Sequence, residues 1–154
     1  MPKVTQQSRR VDQLLGLAGA DLGTGEWQEV SQDQVNQFAD ATHDHQWIHI
    51  DPERAQSGPF GQTIAHGFLT LALLPDLLQS VLRVEGARLG VNYGLNRVRF
   101  PAPVPVGSRI RAKAQLLEAT AFDGGVQIVV ETTVEVEGRP KPACVAQTIS
   151  RYYV

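Results

Sequence analysis

Apolar and polar residues follow two rhythms along this chain, one before about residue 86 and another after it. Near the N-terminus Val11, Leu14, Leu15 and Ala18 fall at helical spacing, and Gly23 and Gly25 end the stretch. Trp27 to Val30 reads as a short strand. Ser31-Gln32-Asp33-Gln34 has the form of a capping box and predicts a helix from about Gln32 to Ala41. Asp51-Pro52-Glu53 predicts a second helix start, with an aspartate cap and proline at the first helical position. Asp44 and His49 therefore fall on a connection between helices, and Gly58, Pro59 and Gly61 mark a further loop. From Ile64 to about Arg83 the leucines at 69, 73, 77 and 78 predict a helix that is apolar on nearly every side and hence buried. Pro75 removes one of its backbone bonds, which predicts a kink or break near Leu71 to Pro75.

After Gly86 the period is two. Ile110, Ala112, Ala114 and Leu116 alternate with polar residues, as do Val126, Ile128, Val130, Thr132, Val134 and Val136, and Phe122-Asp123-Gly124-Gly125 supplies the turn between these strands. In Val91 to Phe100 the apolar set moves from odd to even positions, which predicts a bulge near Gly94 to Asn96. Glu137-Gly138-Arg139-Pro140 leads into a last strand, about Ala143 to Tyr153. A long apolar helix followed by strands with one face to cover is satisfied by a curved antiparallel sheet wrapped around that helix. The expectation is an α+β protein: a single hot-dog domain over residues 10–154, preceded by a flexible polar segment, residues 1–9.

Composition narrows the function. With 154 residues, 42% hydrophobic and 19% charged, the chain has the size and balance of one globular domain. A net charge of −2 gives no reason to expect a nucleic-acid partner. Arg97, Arg99, Arg109, Arg111 and Lys113 form a local basic cluster that reads first as a solvated strand face and second as a contact for an anionic ligand such as a phosphate-bearing cofactor. One cysteine, Cys144, excludes an internal disulfide and suits a reducing compartment. The N-terminus lacks the apolar core of a signal peptide, and His66, Pro75 and Asp76 interrupt the most apolar run, so no membrane partner and a cytoplasmic location are expected.

All four histidines lie between Phe38 and Leu82, in Thr42-His43-Asp44-His45-Gln46-Trp47-Ile48-His49 and Ile64-Ala65-His66-Gly67-Phe68. Histidine is the side chain best suited to moving protons or holding metals near neutral pH. Taken singly, Asp44 reads as a turn residue, His49 as a structural histidine, His66 as a packing or loop-orienting residue and Trp47 as packing beneath the loop. His43 and His45 read as solvent-facing. His-x-His with Asp44 and His49 nearby would also suit zinc or iron, although nothing in the spacing enforces it.

The segment from Phe38 to His49, with Ala55 downstream, Ile64-Ala65-His66-Gly67, and Asn92-Tyr93-Gly94-Leu95-Asn96-Arg97-Val98-Arg99-Phe100-Pro101-Ala102-Pro103-Val104, resembles the MaoC-like family of (R)-specific enoyl-CoA hydratases, most closely its NodN-like branch. The resemblance implies reversible hydration of a trans-2-enoyl-CoA to the (R)-3-hydroxyacyl-CoA. It implies Asp44 and His49 as the catalytic pair, the Gly67 amide as the oxyanion donor, Gln46 and His66 as further contacts, no metal and no cofactor beyond the CoA thioester substrate, and a homodimer. The family motif usually reads Gly-Asp-x-Asn-Pro-x-His. Here His43 replaces the glycine and Gln46-Trp47 replaces Asn-Pro; Gln46 can supply the amide hydrogen bonds of the asparagine, while histidine tolerates positive φ less well than glycine. Two other readings fit the same fold: an acyl-CoA thioesterase, and a non-catalytic acyl-CoA binding protein.

Overall fold

The computed structural model describes residues 6–154. Residues 1–5 of the segment expected to be flexible lie outside the described residues. Within the remainder, Gln7–Arg10 form strand β1, which pairs in parallel with β4 (Leu82–Glu85). A 3-10 helix, Val11–Gly16, follows in place of the expected α-helical turn; it buries Val11 and Leu14 and leaves Leu15 exposed. Strands β2 (Asp21–Thr24) and β3 (Gln28–Glu29) lead to helix α1 (Gln32–Thr42). The Ser31 hydroxyl caps α1 by accepting the Gln34 N–H at 3.2 Å. Two short helices come next, α2 (Trp47–Ile50) and α3 (Pro52–Gln56), the latter capped by the Asp51 carboxylate, which accepts the Arg54 N–H at 3.1 Å.

The apolar run folds differently from its expected extent. Ile64 and Ala65 are not helical: the Ile64 N–H donates to the Ile48 carbonyl at 3.0 Å and the Ala65 N–H to the Val104 carbonyl at 2.8 Å. The helix begins at Gly67 as α4 (Gly67–Ala72), is interrupted at Leu73, and resumes as α5 (Leu74–Gln79) with Pro75 in its first turn. The interruption falls where the proline lacks a hydrogen to donate. The chain then returns as strand β4, so the helix stops short of Arg83. It is also not buried all round, since Phe68 is 70% exposed.

Four long strands complete the chain: β5 (Leu89–Arg99), β6 (Arg109–Phe122), β7 (Gly125–Val136) and β8 (Cys144–Tyr153). The sheet runs β2-β6-β7-β8-β5, antiparallel throughout, with β3 beside β6. The two-residue turn at Asp123-Gly124 closes the β6–β7 hairpin, with Gly124 at φ +107°. Register shifts in β5, at Asn92/Gly94 and Leu95/Arg97, supply the irregularity that its apolar phase change predicts.

Period-two patterning translates directly into the inner face. Ile110, Ala112, Ala114 and Leu116 on β6 and Val126, Ile128, Val130, Val134 and Val136 on β7 are buried in one cluster with Leu69, Leu74 and Leu77 of the helices and Val35 of α1. Small residues at Ala112, Ala114 and Ala146 leave room for the helices to approach the middle of the sheet. This is the hot-dog arrangement, an antiparallel sheet wrapped around a central, broken helix.

Thr132 is the polar exception on that face. It is fully buried between its strand partners Ala114 and Ala146, and its hydroxyl has no hydrogen-bond partner among the described residues. Replacing it with the isosteric Thr132→Val should stabilise the fold by about 1–2 kcal/mol, read as a higher midpoint of urea unfolding at unchanged slope. A lower midpoint would show that the hydroxyl has a partner in solution.

Candidate active site

α1 ends at His43, which caps it with φ +63° and ψ 18°. This is the one non-glycine residue with positive φ among the described residues, and it stands where the family motif has glycine. The left-handed residue turns the chain so that Asp44 and His49 come back to His66 at the start of α4. His49 lies on the helical turn α2, not on an irregular loop as its setting between two caps suggested. A single turn is too short for a period to announce it.

His49 is buried, and its Nδ1 is 2.7 Å from the Ile64 carbonyl oxygen. A carbonyl only accepts, so Nδ1 carries the hydrogen and Nε2 keeps its lone pair. Burial pushes the His49 imidazole below its ordinary pKa; the hydrogen bond to Ile64 and the Asp44 carboxylate oppose that shift in part. His49 is therefore a neutral base at neutral pH, with Nε2 free. Asp44 is half-buried, and its carboxylate accepts a long 3.4 Å bond from the Gln46 N–H.

His66 is 2% exposed. Its Nε2 lies 3.0 Å from the Asp44 backbone carbonyl, and its ring stacks on His49 at a centroid distance of 3.9 Å and 24° between planes. One donor atom from each of Asp44, His49 and His66 lies within 4.8 Å of the others. That cluster invites a metal, but the stacking opposes one. An ion about 2.0–2.1 Å from a nitrogen of each ring would have to lie well out of both imidazole planes, away from the in-plane lone pairs. His43 and His45 stand apart on the exposed side with centroids 6.5 Å from each other, and His45 pairs with Asp40 at 2.9 Å.

A cavity of about 350 Å³ opens beside the pair, lined by His49, Phe60, Gly67, Thr70 and the turn Phe100 to Val104 among others. Gly67 is the first residue of α4, so its N–H has no acceptor within the helix. A Cβ there would come within 3.2 Å of the Phe100 ring, so glycine keeps the wall open. Of the residues singled out in the sequence, His49 and Gly67 line this cavity and Asp44 adjoins His49. His66 and Gln46 are not among the lining residues: His66 faces Asp44, and Gln46 is exposed at the start of α2. Trp47 is packed over Gly58 with the Arg54 guanidinium 4.3 Å above its ring. Gln32 was not foreseen. Its side chain donates to the His49 carbonyl at 2.8 Å and accepts from the Thr63 hydroxyl at 2.7 Å, joining α1, α2 and the segment before α4. Its place in a capping box hid this second use.

Residues 15–139 match the family model described as a MaoC like domain. The chain belongs to the MaoC-like family. Within it, this MaoC-like protein is 59% identical over 143 residues to 3-hydroxyacyl-thioester dehydratase Z of Mycobacterium tuberculosis, covering 92% of this chain and 95% of the relative. It is 48% identical over 136 residues to Nodulation protein N of Rhizobium leguminosarum, covering 86% and 84%, which agrees with the NodN-like character of its loop. The solved structure of R-hydratase PhaJ1 from Pseudomonas aeruginosa shares the fold, with a TM-score of 0.72 at 21% identity over 88% of this chain and 81% of that one.

Left-handed backbone costs an ordinary residue about 1–2 kcal/mol, and glycine avoids this at a cost in unfolded-state entropy of about 0.5–1 kcal/mol. His43→Gly should therefore raise stability by about 0.5–1 kcal/mol by chemical denaturation. A fall would show that the imidazole contributes more than its backbone costs.

Proposed function

We propose that this MaoC-like protein is an (R)-specific enoyl-thioester hydratase, adding water reversibly to a trans-2-enoyl-CoA to give the (R)-3-hydroxyacyl-CoA. The observation that carries the proposal is the meeting of Asp44 with His49, whose Nε2 keeps its lone pair, beside a cavity that Gly67 also lines. The similarity to a relative named for 3-hydroxyacyl-thioester dehydration supports the same reaction class.

In this reading the thioester carbonyl lies at the Gly67 N–H, where negative charge develops as the C2–C3 double bond is attacked. Asp44 and His49 jointly activate a water. Its hydroxyl joins C3, one proton passes to the pair, and one proton passes from the pair to C2, so one water is added and the pair is regenerated. No metal or redox group is needed, since both steps are proton transfers. The acyl tail follows the broken helix into a second, apolar groove of about 400 Å³ between Leu71, Leu74 and Leu78 and the strand residues Tyr93 and Leu95.

The proposal includes a homodimer. β5 lies at the sheet edge with Leu89 and Val91 exposed, and pairing with a second copy would cover its unpaired backbone groups. Light scattering should give twice the 16.8 kDa chain mass; a monodisperse monomer would contradict it. A cytoplasmic location belongs to the same reading, which the lone, buried cysteine Cys144 suits as a residue of a reducing compartment. No described helix is long and apolar enough to cross a membrane.

Loss of enoyl-thioester absorbance tests the activity. Asp44→Asn and His49→Ala, shown to be folded, should each lower kcat/KM by about 10²–10⁴-fold. Release of free CoA would mark a thioesterase instead, and binding without turnover an acyl-CoA binder.

The pH dependence follows from His49. Its pKa is lowered on folding, so wild-type kcat/KM should fall in acid with a midpoint below about 6.5, the ordinary histidine value. Because the unfolded chain takes up this proton first, the group's contribution to stability is complete above that value and is lost as pH drops from there through the folded pKa. An acid limb centred above 6.5 would contradict the assignment.

A further inference from the structure

We propose that His66 is a positioning residue for the acid–base pair: its neutral ring donates from Nε2 to the Asp44 backbone carbonyl and stacks on His49, holding the two groups in one fixed relation. The proposal deepens the hydratase reading and rests on it for its kinetic consequences.

The Asp44 carbonyl, 3.0 Å from Nε2, accepts only, so Nε2 carries the proton. Nδ1 is buried and has no partner among the described residues. A second proton there would create a buried cation with an unsatisfied donor, with the Phe38 ring 4.9 Å away on one side and the His49 ring 3.9 Å away on the other. The geometry thus puts the His66 hydrogen on Nε2 and leaves Nδ1 bare. The same surroundings exclude it from direct chemistry, because it is 2% exposed and absent from the cavity wall.

Its backbone is as well held as its ring. The His66 carbonyl accepts the N–H groups of Leu69 at 3.1 Å and Thr70 at 3.2 Å, which start α4. The residue before Gly67 therefore carries a rigid link from the start of that helix back across 22 residues to Asp44. That link matters here because the loop it grips begins with left-handed His43 and lacks the glycine and Asn-Pro of the usual motif. A strained conformation persists only where its surroundings over-determine it. The bond to the Asp44 carbonyl supplies one such restraint, and the stacking on His49 keeps the plane of the base from tilting away from the carboxylate. A ring that arranges the pair without touching substrate should affect turnover far more than binding.

Two substitutions separate this role from plain packing. His66→Leu fills similar space without a donor, whereas in His66→Gln the amide nitrogen can stand in for Nε2 and donate to the same carbonyl. With both shown to be folded by circular dichroism, His66→Leu should lower kcat about 100-fold with KM changed less than about threefold, and His66→Gln should recover at least about tenfold of that loss. Equal impairment of both variants, or a raised KM with kcat intact in His66→Leu, would overturn the proposal. Nitrogen-15 NMR of the wild-type imidazoles tests it without activity or mutation. At pH 7 His66 should be the neutral Nε2–H tautomer with a bare Nδ1; an Nδ1–H tautomer or an imidazolium would refute it. If the wild type hydrates no enoyl thioester, the functional reading fails, while the tautomer still decides this inference.

Discussion

The short extended stretch Thr63–Ala65 is the tie on which the site depends. The Ile64 N–H is held by the Ile48 carbonyl, the Ala65 N–H by the Val104 carbonyl, and the Thr63 carbonyl by the Val106 N–H, while the Ile64 carbonyl takes the hydrogen of His49 Nδ1. Three parts of the fold meet in those bonds: the loop that carries the acid–base pair, the entry to the central helix, and the turn that walls the cavity. Backbone groups buried at such a junction must be paired, and pairing them here ties the loop of Asp44 and His49 to the start of α4. Gln32 adds a polar clamp from the side, so a capping segment of α1 also braces the site.

The site is asymmetric in charge, and that asymmetry is useful. Two imidazoles share one stacked pair, each with one nitrogen committed to a backbone carbonyl. His49, whose other nitrogen keeps its lone pair, lines the cavity; His66 buries its own free nitrogen without a partner among the described residues. The Asp44 carboxylate lies beside both rings.

Much of this was legible in the residues. Strict alternation in β6 and β7 named the buried face correctly, because a strand side chain can point only to one side or the other. The caps at Ser31 and Asp51 marked helix starts through local hydrogen bonds that need no tertiary information. Of the residues that the motif singled out, His49 and Gly67 line the cavity and Asp44 adjoins His49. What escaped was set by distant partners. The helix begins at Gly67 because Ile64 and Ala65 are claimed by Ile48 and Val104, and nothing in the run itself declares that. β1 and β4 stabilise each other across more than seventy residues, so neither short segment announces a strand alone. His66 reads in the sequence as a packing or loop-orienting residue, but the carbonyl at which it aims, 22 residues earlier, is not legible there.

The central claim is that Asp44 and His49 move protons to and from an enoyl thioester held at Gly67. Its most direct test is product analysis of trans-2-enoyl-CoA incubated with the protein in deuterium oxide. The account predicts (R)-3-hydroxyacyl-CoA with deuterium entering at C2 and no free CoA. Recovery of unchanged substrate, or of free CoA and the unsaturated acid, would contradict it.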